Sequence, residues 1–252
     1  MIRIRNVSKA YGGANVVDRV SVDIERGRVT SLIGPNGAGK STLLSLISRL
    51  AAKDAGDIRI DGKEIDAWRS DELARKLSIL RQTNHLNVRL TVRELVAFGR
   101  FPYTKGRLTR EDESYVDEAI RYLDLQELQH KFLDALSGGQ RQRAFIAMVV
   151  AQNTDYVLLD EPLNSLDMKH SVQIMKVLRR LADELGKTVV IVLHDINFAS
   201  CYSDAIVALK GGKVIKEGPT EEMMTSDVLR DVFDMDIPVR TEGDRRIAVY
   251  YT

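Results

Sequence analysis

The sequence predicts an α/β fold: a mostly parallel sheet with helices on both faces, antiparallel strands before it and a helical insertion within it. Three observations predict this. Apolar stretches of strand length recur at 29–33, 77–80, 156–159 and 189–193, separated by helical patterns, which is how strands buried on both faces of a parallel sheet read. The stretch 29–33 runs into a glycine-rich turn and then a helix over about 40–49, the strand–loop–helix opening of an α/β unit. Between Thr83 and Gln152 the patterns are helical only.

The elements follow in order. Ile2 and Ile4, then Val20, Val22 and Ile24, alternate with mostly polar residues, the signature of half-exposed antiparallel strands. Thr91-x-x-Glu94 is a capping box that starts a helix. A second helix spans about 111–123, with Glu111-Asp112-Glu113 as its solvated first turn, where acids suit the helix dipole. A third follows Ser137. After the turn Gly211-Gly212 comes a hairpin strand over 213–217. No repeat, low-complexity tract or linker divides the chain, so one continuous unit is expected. Residues 1–82 and 153–252 form the sheet core with its antiparallel strands, and 83–152 form the helical insertion. Trp68, Met223, Met224 and Cys201 read as packing residues.

The 252 residues can bury a large core without staples. Lys plus Arg number 37 and Asp plus Glu 36, without the basic excess of a nucleic-acid binder. Cys201 has no intramolecular partner and suits a reducing compartment. The start lacks a signal peptide's apolar region and cleavage site. No apolar run approaches the ~18 residues of a membrane span, so any membrane role is expected to come through a partner.

Two motifs carry chemistry directly. Gly34-Pro35-Asn36-Gly37-Ala38-Gly39-Lys40-Ser41 is a full P-loop pattern. Its glycines let backbone N–H groups converge on phosphate oxygens, and the following helix adds its positive end. Lys40 is expected to reach the β- and γ-phosphates and Ser41 to bind Mg²⁺. The strand 156–159 ends in Asp160-Glu161, and strand C-termini in a parallel sheet open into the ligand crevice. Asp160 then sits beside Mg²⁺, and Glu161 is the general base for water. Alone, two acids at a strand end are a common surface feature; beside a P-loop they read as a site.

A third motif, Leu136-Ser137-Gly138-Gly139-Gln140, offers a second anion cradle at a helix start. It resembles the signature motif of ATP-binding cassette (ABC) ATPases, and further residues along the whole chain resemble that family in the expected order. The resemblance implies a RecA-like P-loop core, ATP and Mg²⁺ as ligands, and roles residue by residue. Tyr11 stands where an aromatic stacks on adenine and Val17 where a residue packs near it, while Thr42 extends the phosphate loop. Gln82 matches the glutamine contacting Mg²⁺ and water. Asn164-Ser165-Leu166-Asp167 resembles the D-loop, with Ser165 in place of the usual alanine and Asp167 at the subunit interface. His194 matches the switch histidine that senses γ-phosphate. The triplet Arg141-Gln142-Arg143 after the signature reads as lying at the dimer face or near phosphate.

The family pairs two copies head to tail, so each Ser137-to-Gln140 segment closes over the other's ATP. The stretch from Leu90 to Tyr103, continuing through Leu108-Thr109-Arg110-Glu111-Asp112, is similar to ATPases of ferric-siderophore, haem and cobalamin importers. That similarity implies a peripheral subunit on the cytoplasmic face of a membrane, with permease subunits and, indirectly, a substrate-binding protein as partners. Ferric siderophore import is the first expectation; haem or cobalamin import, or an exporter, is the alternative. The permease groove is expected over residues 82–100, including His85, Leu86, Arg93 and Arg100. Mechanical ABC ATPases of chromosome machines separate the P-loop from the signature by long coiled coils, which this chain lacks, and ribosome-associated ones fuse two cassettes.

Overall fold

The computed structural model describes residues 1–82, 88–164 and 166–251. The chain opens with β1 (Ile2–Tyr11), β2 (Ala14–Ile24) and β3 (Val29–Ile33), followed by α1 (Lys40–Ile47). Next come β4 (Ala55–Ile60), β5 (Lys63–Glu64), α2 (Ser70–Lys76) and β6 (Leu77–Leu80). Helices α3 (Val92–Phe98), α4 (Phe101–Thr104), α5 (Arg110–Tyr122) and α6 (Gly138–Ala151) make up the middle. The chain then alternates β7 (Tyr156–Asp160), α7 (Met168–Asp183), β8 (Thr188–Val192), α8 (Ile196–Tyr202) and β9 (Ala205–Lys210). It closes with β10 (Lys213–Pro219), α9 (Thr220–Met223), α10 (Ser226–Phe233), β11 (Val239–Glu242) and β12 (Arg245–Ala248).

The larger sheet has the order β10-β9-β3-β8-β7-β6, parallel from β9 to β6, with β10 returning antiparallel. The N-terminal strands form a separate antiparallel sheet, β2-β1-β4-β5. Strand alternation divides the core in two. Leu158, Val190 and Val192 face inward onto α1 and the antiparallel sheet, meeting Leu43, Leu44, Ile4 and Ile60. Val157, Leu159, Val189 and Ile191 face the opposite way, into the core shared by α6, α7, α8 and α10. α1 is therefore enclosed between two sheets, and Leu43, Leu44, Leu46 and Ile47 are all buried. This arrangement fixes the loop that precedes α1 at the C-terminal ends of the parallel strands.

The helical middle is anchored by three local signals. Thr91, Thr109 and Ser137 each close a capping box, with Glu94, Asp112 and Gln140 respectively. Such a box satisfies two of the donors a helix start leaves open. Apolar residues of α3, α5 and α6, including Leu95, Val116, Ile120 and Ile146, join the larger core. Met223 and Met224 are fully buried, Trp68 lies under the Lys63 ammonium at 4.4 Å, and Cys201 is a partly buried residue of α8.

Two expectations fail here. The first turn of α5 is not wholly solvated: Asp112 is buried and accepts from Arg100 Nε at 2.9 Å. Arg100 is equally buried, donates to the Ala151 carbonyl at 3.0 Å and sits under the rings of Tyr103 and Tyr115 at 4.0 and 4.2 Å. It holds the start of α5 to the end of α6 and is not a docking residue. Removing one partner leaves a buried charge, so Arg100→Met is expected to destabilise the protein by about 3–5 kcal/mol. Chemical denaturation checks this, and a midpoint equal to wild type would contradict it.

Candidate functional site

The phosphate loop leaves β3 at Gly34, whose φ of 140° suits glycine; a Cβ there would lie 2.0 Å from the Leu209 carbonyl oxygen. Gly39, at φ 97°, is the N-cap of α1, and a Cβ on it would approach the Val16 carbonyl to 2.4 Å. Both positions bring bare backbone against bare backbone, which only glycine permits. Lys40 is buried and donates from Nζ to the carbonyls of Gly34 at 2.7 Å and Pro35 at 2.9 Å. Burial lowers its pKa, opposed by the charges of Glu161 and Asp160. The ammonium is thus held by the loop's own carbonyls, beside a cavity of about 550 Å³ lined by Val16, residues 36–42, Gln82, Glu161 and His194.

The acidic pair enters from the end of β7. Asp160 accepts from the Ser41 hydroxyl at 2.7 Å. Burial raises its pKa, the Ser41 bond offsets this, and the neighbouring Glu161 charge raises it again. Glu161 has φ 50°, a left-handed conformation uncommon for a residue with a side chain and typical of strained functional positions. The kink turns its carboxylate into the cavity, where three groups meet it. Gln82 Nε2 donates at 2.7 Å and Asn164 Nδ2 at 2.6 Å to one oxygen, while His194 Nε2 lies 2.6 Å from the other. The Glu161 side chain is 9% exposed and that of His194 44%, so the histidine forms the solvent side of the cluster.

Sequence reasoning missed two residues here. Val17 is fully buried in the core between the sheets, and Val16 lines the cavity in its place. Neighbouring residues of a strand point to opposite faces, so a slip of one changes the answer. The sequence marks Asn164 only as part of the D-loop-like segment; its spacing of three residues from Glu161 is the signal that could have found it. Tyr11 is 52% exposed and lines an adjoining cavity with Ser41, Thr42, Gln82 and Asp160. The Lys9 ammonium lies 5.3 Å from its ring.

The signature segment stands apart. Ser137 caps α6, its hydroxyl accepts from the Gln140 N–H at 3.3 Å, and Gln140 Oε1 accepts from the Ser137 N–H at 3.0 Å. None of Ser137, Gly138, Gly139 or Gln140 is among the described residues that line the phosphate cavity. Asp167 caps α7 and pairs with His170 at 2.8 Å, with its side chain 64% exposed. Ser165 lies outside the described residues. Arg143 donates to the Leu123 carbonyl at 3.1 Å and so ties α6 to the end of α5.

A divalent cation fits this chemistry. The Ser41 hydroxyl and Asp160 carboxylate are adjacent hard oxygen donors of the kind Mg²⁺ takes, and Mg²⁺ usually fills the rest of its shell with phosphate and water. No group of three or more His, Cys, Asp or Glu able to hold a metal alone occurs among the described residues.

Comparison with known proteins gives one answer. A sequence model of the ABC transporter family matches residues 17–164. The Petrobactin import ATP-binding protein YclP of Bacillus subtilis is 62% identical over 252 residues, covering 100% of both chains. The Ferric enterobactin transport ATP-binding protein FepC of Escherichia coli is 39% identical over 236 residues, 93% of this chain and 87% of that one. Among solved structures, the dimeric structure of MJ0796, a bacterial ABC transporter cassette, superposes with TM-score 0.79 at 34% identity, covering 87% of this chain and 99% of that one.

Proposed function

Because this chain belongs to the ABC transporter family, as one of its ATP-hydrolysing cassettes, we propose that it energises the import of ferric siderophores. The observation that carries the cargo is the full-length 62% identity to a protein named for petrobactin import, supported by the enterobactin relative. The observation that carries the chemistry is the Glu161 carboxylate, held beside the phosphate loop by Gln82, Asn164 and His194.

In this reading Tyr11 stacks on adenine, and the loop from Gly34 to Thr42 wraps the phosphates with Lys40 as counter-charge. The Lys40 ammonium leaves the Gly34 and Pro35 carbonyls for the phosphate tail. Ser41 and Asp160, with Gln82, would hold Mg²⁺, which would neutralise charge on the phosphates. Glu161 is the general base: Gln82 and Asn164 orient one carboxylate oxygen, leaving the other, beside His194, to take the proton of the attacking water. His194 senses the γ-phosphate from the solvent side.

The signature segment, which does not line its own chain's phosphate cavity, completes the site of a second copy packed head to tail. Ser137, Gly138 and Gly139 then offer a helix N-terminus to the opposing phosphate, Gln140 holds that turn, and Asp167 lies at the interface. The chain divides functionally into a core of residues 1–82 and 153–252 and a helical unit of residues 83–152.

No described helix is long and apolar enough to cross a membrane. The chain acts peripherally on the cytoplasmic face, against permease subunits served by a substrate-binding protein. The docking groove runs along residues 82–99, short of the buried Arg100, and Val88 and Phe98 are 65% and 52% exposed there; His85 and Leu86 lie outside the described residues.

Uptake of radiolabelled iron as a panel of ferric siderophores tests the proposal, in cells whose only copy is wild type or Glu161→Gln. Loss of uptake of a ferric siderophore, with labelled haem and cobalamin unaffected, is expected. Unchanged uptake of every ferric complex, with no substitute ATPase present, would reject the cargo.

A further inference from the structure

His194 lies between two supports of different kinds. On its N-terminal side the Leu193 N–H donates to the Leu32 carbonyl at 3.2 Å, continuing the β8–β3 ladder. On its C-terminal side α8 begins at once, capped by Asp195, which accepts from the N–H groups of Asn197 and Phe198. α8 is only seven residues long, and short helices hold their place by what they pack against.

It packs most closely against β12 of the C-terminal hairpin, and also against α7, β3 and α9. Asn197 grips Ala248 as a neighbouring strand would: its Nδ2 donates to the Ala248 carbonyl at 3.1 Å, and its Oδ1 accepts from the Ala248 N–H at 2.8 Å. One helical turn on, the Ser200 hydroxyl donates to the Arg246 carbonyl at 2.5 Å. Positions 197 and 200 share a helix face, and 246 and 248 share a strand face, so the two elements mesh in register. The hairpin is itself fixed to α9, through Arg246 to the carbonyls of Glu221 at 2.7 Å and Met224 at 3.3 Å. All of these residues lie beyond 17–164, the span matched by the family.

We propose that the C-terminal hairpin is a positioning element for hydrolysis: through Asn197 and Ser200 it fixes α8, and thereby sets His194 against Glu161. This rests on the reading of Glu161 and His194 given above. Asn197 and Ser200 touch neither substrate nor the reacting atoms; they act through the backbone that carries the histidine.

The test uses the full-length chain and reads ATP turnover beside nucleotide titration and thermal melting. Asn197→Ala removes both bonds to Ala248 and is expected to lower kcat roughly tenfold, as small misplacements do, with KM for ATP and nucleotide affinity unchanged. His194→Ala is expected to be slow, and adding Asn197→Ala to it should cost nothing more, because the two act as one unit. Losses that multiply, or a fall in kcat no larger than the loss of folded protein, would make the hairpin merely structural and overturn the proposal. A slow His194→Ala beside a wild-type Asn197→Ala overturns this inference alone. A wild-type rate for His194→Ala overturns the underlying reading and this inference with it. Should Asn197→Ala fail to fold, Ser200→Ala gives the same reading, with slowed turnover restored by Ser200→Thr; a wild-type rate for Ser200→Ala then rejects the proposal.

Discussion

Glu161→Gln is expected to lower ATP turnover by at least about a hundredfold, the usual worth of a positioned base, while leaving ATP binding intact. The amide keeps the shape of the side chain and one oxygen that Gln82 and Asn164 can still reach. It cannot accept the proton of the attacking water. The lost charge also releases His194, whose Nε2 lies 2.6 Å from the carboxylate. With binding retained and hydrolysis stopped, ATP should hold two copies together. Steady-state phosphate release and nucleotide titration on the same preparation separate these effects. A wild-type rate would remove Glu161 from the mechanism.

Lys40→Ala should act on the other half of the cycle. It removes the cation now held by the Gly34 and Pro35 carbonyls and leaves the γ-phosphate without a counter-charge. A hydrogen bond to a charged group is worth about 1.5–3 kcal/mol, so ATP affinity should fall by roughly ten- to a hundredfold. The loop should survive, because its shape is set by Gly34 and Gly39 against Leu209 and Val16. Unchanged ATP affinity by titration would contradict the role of Lys40.

The parts of this site legible in the sequence are those written in contiguous residues. The P-loop, the acid pair after an apolar strand, the Thr91 capping box and the helix start at Ser137 each lie within a few positions, and each forms. Contacts across the fold were not legible. Asp112 looks like a solvated acid until Arg100, the N-cap residue of α4, is brought under it. The choice between Val16 and Val17 depends on the exact strand register, and the β1–β2 ladder carries several register shifts. The grip of Asn197 on Ala248 joins residues 51 positions apart, which no local pattern announces. The strand order β10-β9-β3-β8-β7-β6 is likewise a property of the assembled sheet.

The central claim is that one chain holds only half of each site. ATP hydrolysis by a one-to-one mixture of Lys40→Ala and Ser137→Arg chains tests it most directly. Lys40→Ala lacks a working phosphate loop and Ser137→Arg a working signature, so each alone should be inert. In a mixed pair, the intact loop of one chain faces the intact signature of the other, and the mixture should recover turnover. A mixture as inert as its parts, with both chains folded and Ser137→Arg still binding ATP, would contradict the account.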